Sequence, residues 1–339
     1  MFDIIAIGSA TRDAFFEADF PTVNWPKTPS RKAYLLPKGE KLEVKKVFFT
    51  IGGNAVNAGV TFARQGFKAA VAGKTGRDVS GEEIRRRLQK EKINTGLISS
   101  TPDLPTAYSV LLLEKGERTI LGYNGASNSF EFSDLHLEKM HAKWWYVSLA
   151  GESRRMFKNL LKFSDKNNIA VAFNPSGYHL KHGRNEILSS LKNLSFLVLN
   201  DEEAATLTGI PWRREKEVFR KLDKFTPGIL AVTSGRGGAT VSDGKYVYKA
   251  GIFREKKLAD RTGAGDAFGA GFVAGLMRKG VGARNIHKVR PADICYAMRL
   301  ATANATAVIE KIGATEGVLT RREFASPRWK NLKISVTKI

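Results

Sequence analysis

Short apolar runs closed by Gly, Asn or Pro recur along the chain. They are FDIIAIG (2–8), KAAVAG (68–73), KWWYVSLAG (143–151), IAVAFNP (169–175), LSFLVLN (194–200) and GILAVTSG (228–235). Runs of this length and composition predict buried strands. Between them lie stretches with helical spacing: NAVNAGVTFARQG (54–66), SGEEIRRRLQKEK (80–92), SRRMFKNLLKFSDKN (153–167) and DEEAATLTG (201–209). Ser80 with Glu83 reads as a capping box at the start of the second. Alternating strand and helix predict an α/β fold: a doubly wound, mainly parallel sheet with helices on both faces.

Two segments break this rhythm. Residues 17–50 are rich in Pro and Lys and turn strand-like at KLEVKKVFF (41–49). Residues 106–122, TAYSVLLLEKGERTILG, read as two strands joined at Glu114-Lys115-Gly116-Glu117. Both sit awkwardly in a doubly wound sheet and predict a small β-lid. The expected division is a main domain of residues 1–16, 47–105 and 123–339 and a lid of 17–46 and 106–122.

Composition narrows the setting. No apolar run approaches 18 residues, so no membrane span is expected. The N-terminus lacks the basic start and long apolar centre of a signal peptide. The single cysteine, Cys295, excludes an internal disulfide and points to a reducing, cytoplasmic compartment. The net charge of +22 favours anionic partners, either nucleic acid or phosphorylated small molecules. The basic residues are scattered and form no low-complexity tail, so nucleic acid is not expected as the main partner.

The chemistry concentrates in DRTGAGDAFGAGF (260–272). Glycine in a helix interior costs about 1 kcal/mol relative to alanine. Close packing of a helix explains Gly269, Gly271 and Gly275. It does not explain the first turn, where Gly263-Ala264-Gly265-Asp266 would open the helix. Unpaired N–H groups and the helix dipole make such a start an anion site. Asp266 there is either a cap or a base that takes a proton from an attacking hydroxyl. GGNAVN (52–57) exposes backbone after a strand and offers Asn amides for hydroxyls. Asp13 follows the first strand, near the sheet edge where open α/β proteins bind ligands. TSGRGGA (233–239) is a turn that either cradles a nucleotide or only reverses the chain; no Walker loop occurs. Asn200 and Glu203 in NDEE either reach a hydrated Mg²⁺ or cap a helix.

These pieces, in this order, resemble the ribokinase-like (PfkB) carbohydrate kinase family over nearly the whole chain. Gly52, Gly53 and Asn57 resemble its N-terminal signature, and DRTGAGDAFGAGF its C-terminal one. The resemblance implies Asp266 as catalytic base and Gly263, Ala264 and Gly265 as an anion hole. It implies Asp13, Gly53 and Asn57 as acceptor ligands, and Asn200 and Glu203 as an N-x-x-E motif tied to Mg²⁺ through water. Thr233, Gly235, Gly238 and Asn304 would meet the nucleotide. Asp260, Thr262 and Gly313 would lie at a monovalent cation site, with K⁺ the expected ion. The sequence departs from the family at Arg261, at Gly317 and at Tyr123-Asn124, where relatives often carry an Arg. The implied activity is ATP-dependent phosphorylation of a hydroxymethyl group on a sugar. The alternatives are a nucleoside kinase, with Phe15, Phe16, Phe20, Trp25, Tyr34 and Tyr108 stacking on a base, and a non-catalytic RNA- or ligand-binding relative. The open edges of the lid predict a homodimer.

Overall fold

The computed structural model describes residues 1–28, 31–114 and 117–339. The chain begins with β1 (Phe2–Gly8), β2 (Thr11–Glu17), a small hairpin of β3 (Thr22–Asn24) and β4 (Lys32–Tyr34), and β5 (Lys46–Gly52). Then come α1 (Asn54–Arg64), β6 (Ala69–Gly76), α2 (Val79–Lys90), β7 (Asn94–Thr101), β8 (Ala107–Glu114), β9 (Glu117–Tyr123) and α3 (Gly125–Asn128). The central part runs β10 (Ala142–Ser148), α4 (Phe157–Lys166), β11 (Ala170–Phe173), α5 (Gly177–Ser190), β12 (Phe196–Asn200), α6 (Asp201–Thr208), α7 (Glu215–Asp223) and β13 (Ile229–Thr233). It closes with β14 (Ala239–Ser242), β15 (Tyr246–Ala250), α8 (Ala264–Arg278), α9 (Pro291–Val308), α10 (Arg321–Phe324) and β16 (Ile334–Lys338).

Ten strands form one sheet in the order β16-β15-β14-β13-β12-β11-β10-β1-β6-β7. It is parallel from β7 to β13 and antiparallel from β13 to β16. The pleat splits the core in two. On β1, Ile4 and Ala6 join one apolar cluster while Ile5 and Ile7 join the other. The first cluster lies under α1, α2, α8 and α9, the second under α4 to α7. The expected α/β fold is therefore the observed one. The antiparallel edge formed by β14, β15 and β16 was not foreseen. Helices α8 and α9 meet almost backbone to backbone: a Cβ on Gly275 would lie 2.5 Å from Ala297 Cα. That contact offsets the helical cost of glycine there.

A second sheet has the order β5-β2-β8-β9 and takes in residues 11–16 and 47–52, which were expected in the main domain, while β3 and β4 form a separate two-stranded sheet. The strand expected at 41–49 begins only at Lys46 and runs on to Gly52. Its register is set by β2, which places Asp13 opposite Thr50. Glu114 pairs with Glu117 across the hairpin; Lys115 and Gly116 of the expected turn lie outside the described residues. The capping box at Ser80 is not formed. Asp78 caps α2 instead, accepting from Gly81 N–H at 2.8 Å and from the Thr106 hydroxyl at 2.6 Å. Glu83 pairs with Arg86.

Candidate active site

The site forms where α8 starts. Gly263 stands at φ 76°, a left-handed conformation that suits glycine, and a Cβ there would meet Ala314 Cβ at 2.5 Å. The helical ladder begins with Ala267 N–H donating to Gly263 O at 2.8 Å. The Ala264 N–H donates to Arg261 O at 3.4 Å, and with those of Gly265 and Asp266 it precedes that ladder at the positive end of the helix dipole.

Two cavities meet at this helix start. One of about 470 Å³ has Ile252, Phe253, Leu258, Phe268 and Ile309 among its walls, with Thr302 and Thr306 from α9 and the turn Thr233, Gly235, Gly238. The other, about 330 Å³, is lined by Gly263, Ala264, Gly265, Asp266, Asn174, Asn200 and Glu203. Ala264, Gly265, Asn200, Thr233, Arg118 and Arg261 border both. A ligand lying across them would pass the helix start at its midpoint.

Asp266 Oδ2 accepts from Asn57 Nδ2 at 2.8 Å. Burial raises the Asp266 carboxyl to about 6, and the Asn57 donor only partly opposes this. Glu203 is raised to about 7, first by burial, then by the negative charge of Asp266; the Asn200 N–H opposes this. Asp13 also rises to about 7, through burial, with Ser109 and Arg12 opposing and Asp260 adding to the rise. The Asp13 carboxyl fills the space that a side chain at Gly52 would take, since a Cβ there would lie 2.0 Å from Asp13 Oδ2. All three carboxyls thus hold protons to unusually high pH; Glu203 and Asp266 border the smaller cavity, while Asp13 is buried in β2 and borders neither cavity.

The structure brings most of the expected residues together, with qualifications. Asn200 and Glu203 form a reciprocal cap on α6: Glu203 N–H donates to Asn200 Oδ1 and Asn200 N–H to Glu203 Oε2, each at 2.8 Å. Both still border the smaller cavity. Among the described residues no group of three or more His, Cys, Asp or Glu could hold a metal directly, so a Mg²⁺ beside Glu203 would have to be held through water. Gly53 caps α1 at φ 92° with its backbone against Ser9 O, which gives the glycine a structural cause. Thr262 N–H and hydroxyl donate to Asp260 Oδ1 at 2.9 and 2.7 Å, and Gly313 N–H donates to Oδ2 at 3.1 Å. Arg118 Nε lies 3.9 Å from the same carboxylate. The expected cation residues therefore converge, but as donors to one buried acid that a guanidinium already faces.

Asn304, expected at the nucleotide, is fully buried and does not line the larger cavity. Its Nδ2 donates to Thr61 Oγ1 and Ala267 O, and its Oδ1 accepts from Leu319 N–H. Its neighbours Thr302, Ala305 and Thr306 face the cavity instead. Of the lid aromatics, Phe15 and Phe20 are buried and Phe20 packs on Tyr34 at 5.1 Å between ring centres. They serve lid packing. Arg118 was missed. Strand alternation places it on the same sheet face as Asp13, but only the β2–β8–β9 register reveals this.

Residues 25–321 match the model of the pfkB family carbohydrate kinases. The chain belongs to that family. The kinase is 25% identical over 262 residues to an uncharacterised sugar kinase of Archaeoglobus fulgidus, covering 76% of this chain and 97% of that one. Its fold is similar to Arabidopsis thaliana ribokinase complexed with ribose and ATP, with a TM-score of 0.77, 21% identity and coverage of 97% and 99%. It is also similar to a nucleoside kinase of Methanocaldococcus jannaschii, with a TM-score of 0.74, 17% identity and coverage of 97% and 98%. The kinase is thus a phosphotransferase acting on an alcohol group. Among the described residues, no helix is long and apolar enough to cross a membrane.

Proposed function

We propose that this kinase moves the γ-phosphoryl group of ATP to a hydroxymethyl group of a sugar. The observation that carries the reading is the meeting of two cavities at the start of α8, with Asp266 beside the junction. The larger, apolar cavity suits a planar purine, with Thr233, Gly235 and Gly238 along its turn. The lid residue Asp13 and Asn57 suit the acceptor's hydroxyls. Asp266, ionised, takes the proton as the acceptor oxygen bonds to the γ-phosphorus and the bond to the β-bridging oxygen breaks, releasing ADP. The N–H groups of residues 264–266 and the guanidinium groups of Arg118 and Arg261 offset charge on the transferring group. Glu203 and Asn200 would hold Mg²⁺ through water; the ion supplies charge neutralisation on the phosphates when bound. The reading places the kinase in the cytoplasm, where ATP and reduced thiols are available.

The test is ADP release from Mg·ATP with pentoses, hexoses, keto-sugar acids and nucleosides, each with and without K⁺. One strong sugar acceptor supports the reading, and a nucleoside preference overturns its substrate class. Asp266→Asn should lower kcat roughly 10²–10⁴-fold while keeping the fold and ATP binding. Near-normal turnover in that variant removes Asp266 from the mechanism.

We further propose a homodimer through the lid. Cross-strand pairing sets Phe49, Ala14, Val110 and Leu121 in one row on the face turned away from Asp13. Phe49 and Leu121 are each 57% exposed. An apolar row on a sheet with two open edges suits a second copy of the same sheet.

A further inference from the structure

Tyr146 is fully buried in β10, and among the described residues its hydroxyl makes no hydrogen bond. Its neighbours are better served. The indole N–H of Trp144 donates to Val281 O at 2.9 Å and that of Trp145 to Met140 O at 3.1 Å. The other fully buried tyrosine, Tyr248, donates to Asp243 at 2.8 Å. A buried polar group left alone costs about 1–3 kcal/mol, so a hydroxyl kept at this point needs a cause.

Its surroundings supply one. A Cβ on Gly269 would lie 2.4 Å from Tyr146 Oη and 3.0 Å from a Val198 methyl. Gly269 therefore clears the space that the hydroxyl occupies. It lies three residues after Asp266, one turn along the same face of α8. The charges of Asp266 and Glu203 both act on the hydroxyl and, with burial, keep it protonated. Asn57, 5% exposed, donates from Nδ2 to Asp266 while its Oδ1 makes no hydrogen bond among the described residues. The surroundings of Asp266 thus contain an unused donor, Tyr146 Oη, and an unused acceptor, Asn57 Oδ1. Buried polar atoms of this kind are normally joined by an ordered water.

We infer that Tyr146 is a positioning residue for Asp266: its hydroxyl, through one buried water, holds the carboxylate so that the oxygen not bound by Asn57 faces the acceptor. The inference rests on the reading of Asp266 as base. Asn57 secures one carboxylate oxygen, and the water from Tyr146 resists rotation of the group about its own axis. Gly269 is the complement of Tyr146 within the helix that carries the base.

The test is Tyr146→Phe, which removes one oxygen and keeps the ring packed on Phe62. The expected result is a kcat roughly tenfold to a hundredfold lower, as for a misplaced reacting group. KM for both substrates and the melting temperature should stay unchanged. In an Asp266→Asn background the same change should cost nothing more, because Tyr146 acts only through Asp266. Unchanged kcat, a parallel loss of stability and affinity, or an added loss on top of Asp266→Asn would each overturn the inference. A crystal structure of the unsubstituted kinase gives a readout that needs no turnover. It should contain a water within hydrogen-bond distance of Tyr146 Oη and Asp266, and its absence overturns the inference. If Asp266→Asn leaves turnover intact, the parent reading fails by its own test, separately from the water.

Discussion

At the residue scale the carboxyls dominate. Burial raises Asp266 to about 6, well above an ordinary aspartate. Only its ionised form accepts a proton. The kcat/KM profile should therefore rise with unit slope through about pH 6 and level off above it. A pH-rate series in a single ionic strength checks this, and a flat profile from pH 5 to 8 contradicts the role of Asp266. Stability runs the other way. Asp13, Glu203 and Asp266 bind protons more tightly when folded than unfolded, so their contribution is full at low pH and is lost as pH rises through about 6 to 7. The stretch around Asp266 stands out in the sequence because glycines in the first turn of a helix weaken it unless a ligand must come close to the backbone. Arg118 does not, because GERTIL does not reveal which strand faces it. Asn304 is ambiguous in the sequence because a polar residue on an apolar helix reads equally as ligand contact or internal brace.

The element scale shows what that brace does. Asn304 joins α9 to α1 through Thr61, to α8 through Ala267, and to the segment before α10 through Leu319. Asn304→Ala strands the buried Leu319 N–H. It should destabilise the fold by about 1–3 kcal/mol with KM for ATP unchanged. Denaturant unfolding beside a steady-state assay checks both, and a raised KM at full stability returns Asn304 to the nucleotide. Most elements were legible from period alone: the six predicted apolar runs became β1, β6 and β10 to β13. The antiparallel edge was not, since YVYKA and ISVTK are short, half-polar and far apart in the chain. The start of α2 was misread for a tertiary reason. Asp78 is tied to Thr106, 28 residues away, and no local pattern contains that bond.

For the whole molecule, the apolar row on the outer lid face makes self-association the expected state. Sedimentation should give a dimer, and Phe49→Lys combined with Leu121→Lys should give a monomer that keeps its fold. A monomeric parent protein overturns the lid interface. The doubly wound architecture was legible because alternating strand and helix admit few other packings. The extent of the lid was not, because β2 and β5 resemble core strands until their partners are known.

The tight seat of α8 on α9 has a further consequence. Ala297 stands where any side chain at Gly275 would go, so the helix that carries Asp266 packs in direct backbone contact with α9 at this point. On the proposed reading the phosphoryl end of the reaction rests on this close-packed helix pair, and the four-stranded sheet carries Asp13 and Arg118. Divergence in such a protein is modular. A new lid can present a new acceptor to an unaltered base, and the chemistry need not be rebuilt each time the substrate changes.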